Sequence, residues 1–179
     1  MKIFAFAGSN SSTSINKQLV KFVLKSFEGN EINLIDLNDY AMPVFSVDLE
    51  KNGFPAVAHL FLKNIEDCDI IICSLAENNR SYSVAFKNTF DWASRINVKV
   101  FQNKPMFLMT TSPGGFGGGN VMAEASKFFP QFGADIKEVF SLPKFYENFD
   151  VHNGVINQES LTELNTKIEN FKTQLANPY

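Results

Sequence analysis

Hydrophobic and polar positions follow two patterns along this chain. Short runs of consecutive apolar residues predict strands buried on both faces, and apolar residues three or four positions apart predict amphipathic helices. The predicted strands are residues 2–7, 31–36, 69–74, 105–110 and 134–140. The predicted helices are residues 14–28, 53–66, 83–95, 119–130 and 158–175. Residues 140–157 follow neither pattern, so we expect an irregular connection there.

The alternation of strands and helices predicts the fold class. Five strands separated by helices are typical of an α/β protein, in which helices cover both faces of one parallel sheet. We expect a three-layer sandwich with five strands in the order 2-1-3-4-5. The length of 179 residues suits one domain, and no repeat or linker divides the chain. Residues 1–179 are therefore predicted to form a single domain.

Composition narrows the class of protein. The chain is 45% hydrophobic and 20% charged, as expected for a globular protein. Its net charge of −3 and the lack of a basic run argue against a nucleic-acid partner. Its first apolar run is too short for a signal peptide, and no apolar stretch is long enough to cross a membrane. We expect a cytoplasmic protein that has no membrane partner.

The reactive side chains give no sign of a metal site or a catalytic group. Cys68 and Cys73 lie in or beside an apolar run, where small buried hydrophobic residues are the simplest interpretation. His59 and His152 lie far apart and belong to no recognisable constellation. Cysteines, histidines and carboxylates show no metal-site spacing. The 19 phenylalanines could fill the core, line a flat apolar site or form a subunit interface, and their number does not distinguish these.

The loop after the first predicted strand has the composition of an anion site. It has the sequence GSNSSTSIN and precedes a predicted helix, whose free N–H groups and dipole attract anions. The candidate phosphate ligands are Gly8, Ser9, Ser11, Ser12, Ser14, Ile15 and Asn16. The pattern is neither GxGxxG nor GxxxxGK[ST], which argues against a dinucleotide fingerprint and an ATPase. A plain capping loop explains the same residues equally well.

Two further loops follow the third and fourth predicted strands. The candidate residues of the second loop are Ala76, Glu77, Asn78, Asn79 and Arg80. Those of the third, glycine-rich loop are Ser112, Pro113, Gly114, Gly115 and Phe116. Ligands of open parallel sheets bind at the carboxyl ends of the strands, where the strand order reverses. All three loops are therefore predicted to converge on one crevice that binds a phosphorylated planar ligand.

The three loops resemble, in order, the motifs of the NAD(P)H-dependent FMN reductase family, which includes quinone, azo-dye and chromate reductases. GSNSSTSIN at 8–16 resembles the family's GSxRxxSxN loop. AENNRSYSVAFKNTFDW at 76–92 resembles PEYNxSxPGxLKNAxDW, and TSPGGFGGG at 111–119 resembles SxGxxGG. The resemblance covers about residues 1–140.

This resemblance implies a flavodoxin-like fold, bound FMN, NAD(P)H as co-substrate and a homodimer or homotetramer. It implies that the phosphate is bound through Ser9, Ser14 and Asn16. It also implies that the isoalloxazine edge meets Glu77, Asn78 and Asn79, and the pyrimidine side meets Ser112, Gly114 and Gly115. The implied reaction passes a hydride from the nicotinamide through FMN to a quinone-like, flavin or other small acceptor, without a catalytic acid, base or nucleophile.

The sequence departs from the family at several positions. Ser11 stands where the family has arginine, and Asn78 where it has tyrosine. The family's Pro-Gly pair is Ser83-Val84, and its first proline is Ala76. These departures leave two alternatives open: an FMN-binding electron carrier or sensor without nicotinamide turnover, and an interaction protein of this fold that has lost the cofactor.

Overall fold

The computed structural model describes residues 1–177. Its strands are β1 (Lys2–Gly8), β2 (Glu31–Ile35), β3 (Ile70–Leu75), β4 (Glu77–Asn78), β5 (Ser81–Tyr82), β6 (Lys104–Thr111), β7 (Ala134–Leu142), β8 (Phe149–Asp150) and β9 (Gly154–Val155). Its helices are α1 (Ile15–Leu24), α2 (Val47–Glu50), α3 (Ala56–Asp67), α4 (Val84–Ile96), α5 (Gly119–Phe128), α6 (Phe145–Asn148) and α7 (Gln158–Ala176). Short 3₁₀ helices span Lys25–Phe27, Leu37–Tyr40 and Phe129–Phe132.

The five predicted strands form one parallel sheet in the order β2-β1-β3-β6-β7. When the sheet strands alone are numbered, this is the predicted order 2-1-3-4-5. β1 and β3 lie in the middle of the sheet, where Ile3 pairs with Ile70 and Gly8 with Leu75. The predicted flavodoxin-like α/β fold is confirmed.

Helices cover both faces of the sheet, and the side chains of β1 alternate between the two cores. Phe4 and Phe6 point into a core that includes residues of α3, α4 and α5. Ile3 and Ala5 point into the opposite core, which includes residues of α1, α6 and α7. The central strands β1, β3 and β6 are buried on both faces over most of their length, which explains their unbroken apolar runs.

Much of the unusual phenylalanine content fills the core beneath α4 and α5. Phe86, Phe101 and Phe129 are each at most 1% exposed. The rings of Phe101 and Phe129 lie 4.6 Å apart, within the range of favourable aromatic pairs. Cys68 and Cys73 are also buried, as predicted, and burial raises the pKa of the Cys68 thiol to about 11.

Two segments contain more structure than the sequence pattern predicts. The loop after β3 contains the antiparallel β4–β5 hairpin. Residues 140–157, expected to be irregular, contain the end of β7, helix α6 and the β8–β9 hairpin. Elements of two to four residues are too short to show a hydrophobic period. Among the described helices, none combines the length and apolar character needed to span a bilayer.

Candidate functional site

The three predicted loops meet at the carboxyl edge of the sheet. β1, β3 and β6 are neighbours in the sheet, so the loops that follow them lie side by side. Between them is a cleft of about 200 Å³. It is lined by Ser9, Ser11, Thr13, Ser14, Ile15, Asn16, Ala76, Glu77, Asn78, Thr111, Ser112, Pro113 and Tyr146. Ten of these thirteen residues are among the predicted candidates, so the structure brings residues of all three loops together.

Seven candidate residues do not line this cleft, namely Gly8, Ser12, Asn79, Arg80, Gly114, Gly115 and Phe116. Conversely, Thr13, Thr111 and Tyr146 also line the cleft. Thr13 and Thr111 belong to the predicted loop motifs at 8–16 and 111–119. Tyr146 follows β7 in the segment without a readable pattern, so no local signal pointed to it.

The first loop is organised as the start of α1. The Ser14 hydroxyl caps the helix by accepting a hydrogen bond from the Lys17 N–H at 3.1 Å. The N–H groups of Ile15 and Asn16 have no protein partner among residues 1–177 and lie in the first turn of the helix. The helix end therefore offers free donors and a positive dipole next to exposed serines.

Gly8 fixes the exit of the chain from β1. A Cβ atom on Gly8 would lie 2.8 Å from Leu75 Cδ2 and 3.4 Å from Leu75 Cα, so a larger residue there would require the Leu75 side chain to move. The Gly8 carbonyl accepts a hydrogen bond from the buried Ser83 hydroxyl at 2.8 Å, and the Ser83 hydroxyl oxygen in turn accepts one from the Phe86 N–H at 3.1 Å. Ser83 thus joins the first loop to the start of α4, a role that its sequence position did not reveal.

Asn16 is bonded within the protein scaffold. Its Oδ1 accepts hydrogen bonds from the Ser74 hydroxyl at 2.7 Å and from the Thr111 N–H at 3.2 Å. Its Nδ2 donates to the Thr111 carbonyl at 3.3 Å, and the residue is 3% exposed. Asn16 therefore links α1 to the ends of β3 and β6, and its side chain holds the loops in register.

The second loop is a tight hairpin anchored to α5. Asn79 and Arg80 adopt left-handed conformations with φ of 50° and 68°, as a two-residue hairpin turn of type I′ requires. The Glu77 carboxylate accepts hydrogen bonds from Asn120 Nδ2 and from the Val121 N–H, each at 3.0 Å. Burial alone would raise the pKa of Glu77, but these bonds outweigh it and hold the pKa below its usual value.

The glycines of the third loop have two distinct roles. Gly117 and Gly118 have φ of 62° and 81° and pack tightly, the first against Ser141 and the second against Thr110. A Cβ atom on Gly115 would meet nothing within 4 Å. The later glycines therefore form the turn into α5, and the earlier part of the loop leaves open space beside the backbone.

A second cleft, of about 290 Å³, adjoins the first and shares Asn78 with it. It is lined by Asn10, Leu37, Asn38, Tyr40, Ala41, Met42, Val44, Asn78, Val84, Ala85 and Asn88. The segment at 42–45 is held there by α4. Asn88 accepts from the Phe45 N–H at 2.8 Å, and the Trp92 indole donates to the Pro43 carbonyl at 2.8 Å. Asn88 and Trp92 therefore hold the segment that forms one wall of this cleft.

Cationic side chains are absent from the residues that line the two clefts. Lys17, in the first turn of α1, forms an ion pair with Asp36, and its hydrogen bond helps to lower the pKa of that carboxyl. Arg80 lies exposed on the hairpin turn next to Glu77. Within residues 1–177, no group of three or more His, Cys, Asp or Glu side chains is arranged to hold a metal ion.

Parallel topology, a site at the reversal of strand order and a helix N-terminus facing the cleft define a flavodoxin-like α/β protein. The sequence model of the NADPH-dependent FMN reductase family matches residues 1–147. This chain belongs to that family.

Curated relatives support the assignment. The chain is 36% identical over 124 residues to an NADPH:quinone oxidoreductase of Arabidopsis thaliana. It is 34% identical over 118 residues to a 2-hydroxy-1,4-benzoquinone reductase of Burkholderia sp. These matches cover 66% and 65% of this chain, and only 61% and 63% of the relatives' own lengths.

A solved structure resembles the whole fold. FerB, a flavoenzyme NAD(P)H:(acceptor) oxidoreductase from Paracoccus denitrificans, superposes with a TM-score of 0.76 at 25% identity. The match covers 98% of this chain and 97% of FerB. An azoreductase of Bacillus anthracis has the same fold, with a TM-score of 0.67 at 13% identity over 97% of this chain and 98% of that one.

Proposed function

We propose that this protein is an FMN-dependent NAD(P)H oxidoreductase that reduces quinone-like small molecules. The observation that carries the proposal is the convergence of three loops on one cleft, where the N-terminus of α1 and a row of serines meet a glycine-containing loop. The quinone reductases among its relatives support the acceptor class. We further propose that residues 1–179 act as one flavodoxin-like FMN-binding domain.

The first loop fits the phosphate of FMN. The hydroxyls of Ser9 and Ser11, which line the cleft, and the free N–H groups of Ile15 and Asn16 are donors that phosphate oxygens require. Ser14 closes the helix start, and the buried Asn16 side chain keeps that start against β6. With serine at position 11, neutral donors and the helix dipole hold the phosphate without a guanidinium.

The second and third loops fit the two edges of a flat ring system. Backbone and side-chain groups of Ala76, Asn78 and Asn79 would meet one edge, and Ser112 to Phe116 would meet the other. Gly115 lies outside the lining of the cleft, and the open space beside its backbone leaves room for a ring that extends beyond the cleft. Glu77 acts in this arrangement as a positioning residue, because its carboxylate joins the hairpin to α5.

FMN, when bound, supplies the chemistry by taking up a hydride from a reduced nicotinamide and passing the electrons to an acceptor. The chain's own residues bind and orient the reactants. The second cleft, which shares Asn78 with the first, would receive the nicotinamide and then the acceptor. Its asparagines and its apolar residues Met42, Val44 and Val84 suit a flat ring with a few polar substituents. Arg80 would contact the cofactor or the nucleotide from the rim.

We propose that the protein works in the cytoplasm as a homodimer or larger homo-oligomer. Val44 and Val84, which line the second cleft, are 72% and 73% exposed, and the nearby Val47 is 64% exposed. Apolar side chains concentrated beside a cleft are typical of a protein–protein contact. A second copy covering them would also exclude water from the site.

Titration of the apo-protein with FMN, followed by flavin fluorescence, tests the cofactor assignment. We expect wild-type protein to bind FMN and the Ser9→Ala/Ser11→Ala double variant to bind it more weakly, about tenfold or more, through loss of two donors that line the cleft. The Ser26→Ala variant, on the exposed turn after α1, serves as the matched control. A wild-type protein that binds no FMN would support the interaction-protein alternative.

A further inference from the structure

Tyr146 is an exposed aromatic residue at the candidate cofactor cleft. It lines the cleft together with Ser9, Ser11 and Ser14, and 73% of it is exposed. Its hydroxyl has no hydrogen-bond partner among residues 1–177. A single exposed aromatic residue is ordinary on a protein surface, but Tyr146 is one of the residues that line the cleft. This side chain is therefore available to a molecule in the cleft.

The backbone around Tyr146 is held firmly against the third loop. The Lys144 N–H donates to the Gly114 carbonyl at 2.9 Å, and the Phe145 N–H donates to the Ser112 carbonyl at 3.0 Å. Phe145 is buried and stacks on Phe149 with ring centroids 4.6 Å apart. Lys144 has a φ of 47°, a left-handed conformation that costs free energy in a residue other than glycine. These contacts fix the site from which Tyr146 projects.

The face of the sheet on which Tyr146 lies indicates which end of the ligand it meets. Phe145 and Phe149 belong to the same core as Leu19 and Val23 of α1. The hairpin of the second loop packs on the opposite core, since Tyr82 contacts Phe86 and Phe129 there. Tyr146 therefore approaches the cleft from the side of α1, whose N-terminus carries the free N–H groups.

We propose that Tyr146 donates a hydrogen bond to the phosphate of FMN and so supplies one of the contacts that the family's arginine provides at position 11. This inference rests on the proposed function and assigns a binding role to a residue outside the three loops. The cleft lacks a cationic lining residue, so each neutral donor supplies a larger share of the interactions that bind the phosphate. Hydrogen bonds to charged groups are roughly twice as strong as neutral ones.

Binding of FMN and of riboflavin, which lacks the phosphate, to the apo-protein tests this role. We expect Tyr146→Phe to raise the dissociation constant of FMN about tenfold and to change that of riboflavin less than about twofold. The ³¹P resonance of bound FMN should also shift between wild type and Tyr146→Phe. Val151→Ala, an equally exposed site in the adjacent hairpin turn, is the control and should bind both flavins as wild type does.

The possible results separate this inference from the proposed function. Equal FMN affinities for wild type and Tyr146→Phe would overturn the inference alone, as would an equal loss of affinity for both flavins. A wild-type protein that binds neither flavin would overturn the proposed function and the inference together. Because Tyr146 is exposed, Tyr146→Phe should unfold at the wild-type temperature, which separates lost binding from lost folding.

Discussion

The Glu77 carboxylate accepts a hydrogen bond from the Val121 N–H at 3.0 Å and thereby ties the hairpin after β3 to the first turn of α5. A carboxylate at this position also interacts favourably with the helix dipole. Residues 44 positions apart in the sequence are thus joined beside the candidate cofactor cleft. The position of the second loop depends on this contact.

Replacing Glu77 by glutamine should destabilise the protein at neutral pH. The amide loses one of the two acceptor oxygens, and we expect the free energy of unfolding in urea to fall by about 1–2 kcal/mol. Glu28→Gln, at an exposed position, is the control. An equal effect of both substitutions would show that the α5 contact contributes nothing specific.

The stability difference between wild type and Glu77→Gln should depend on pH. Folding lowers the pKa of Glu77 from its ordinary value of 4.5, because the bonds from Asn120 and Val121 outweigh the opposing effect of burial. The contribution is therefore complete above about pH 4.5 and is lost as the pH falls toward and below the folded pKa. Urea denaturation of both proteins from pH 7 downward should show the two stabilities converging in acid. A constant difference would contradict the assignment.

Introducing the family's arginine should tighten FMN binding. Ser11→Arg places a full charge beside the phosphate loop, and we expect the dissociation constant of FMN to fall about three- to tenfold at low salt and to lose most of that gain at high salt. Riboflavin affinity should stay unchanged. Ser26→Arg adds the same charge beyond the C-terminal end of α1 and serves as control. Equal tightening by both variants would indicate a general charge effect.

Replacing two glycines of the third loop by alanine should have different effects on stability. In Gly118→Ala the Cβ would lie 2.9 Å from Thr110 Cβ, at a φ of 81°, and we expect a loss of about 1–3 kcal/mol in the free energy of unfolding. In Gly115→Ala the Cβ would meet nothing within 4 Å, so the free energy of unfolding should change by less than about 0.5 kcal/mol. Thermal unfolding measures both, and equal losses would contradict the division of the loop into a structural and an open part.

A charge at Val84 should separate the subunits of an oligomer. Val84 is the first residue of α4, where aspartate is compatible with the helix dipole, so Val84→Asp should still fold. Light scattering after size-exclusion chromatography should show wild type as a dimer or tetramer and Val84→Asp as a monomer. Val98→Asp, 65% exposed after α4, is the control and should leave the assembly intact. A monomeric wild type would overturn the proposed assembly.

The sheet could be predicted from the sequence because its central strands include continuous apolar runs, which need burial on both faces. The convergence of the loops also followed, since the carboxyl ends of parallel strands share one edge. The β4–β5 hairpin did not follow. Its turn places arginine at a left-handed position where glycine is usual, which hides the turn signal.

The sequence also did not show which residues of the site are available to a ligand and which hold the loops together. Asn16 and Glu77 stand in motifs that suggest ligand contact, yet their hydrogen bonds within the protein reach Thr111 and Val121, far away along the chain. Long-range contacts of this kind leave no local pattern in a sequence. The same reason explains why Tyr146 was missed, since tertiary packing of residues 143–149 brings it to the cleft.

Anaerobic addition of NADH or NADPH to the FMN-loaded protein tests the central claim most directly. The visible absorption band of oxidised flavin should disappear after either nucleotide is added, and it should return when a benzoquinone is supplied in place of oxygen. A band that persists in the presence of both nucleotides would contradict the oxidoreductase assignment and would favour a flavin-binding carrier or sensor.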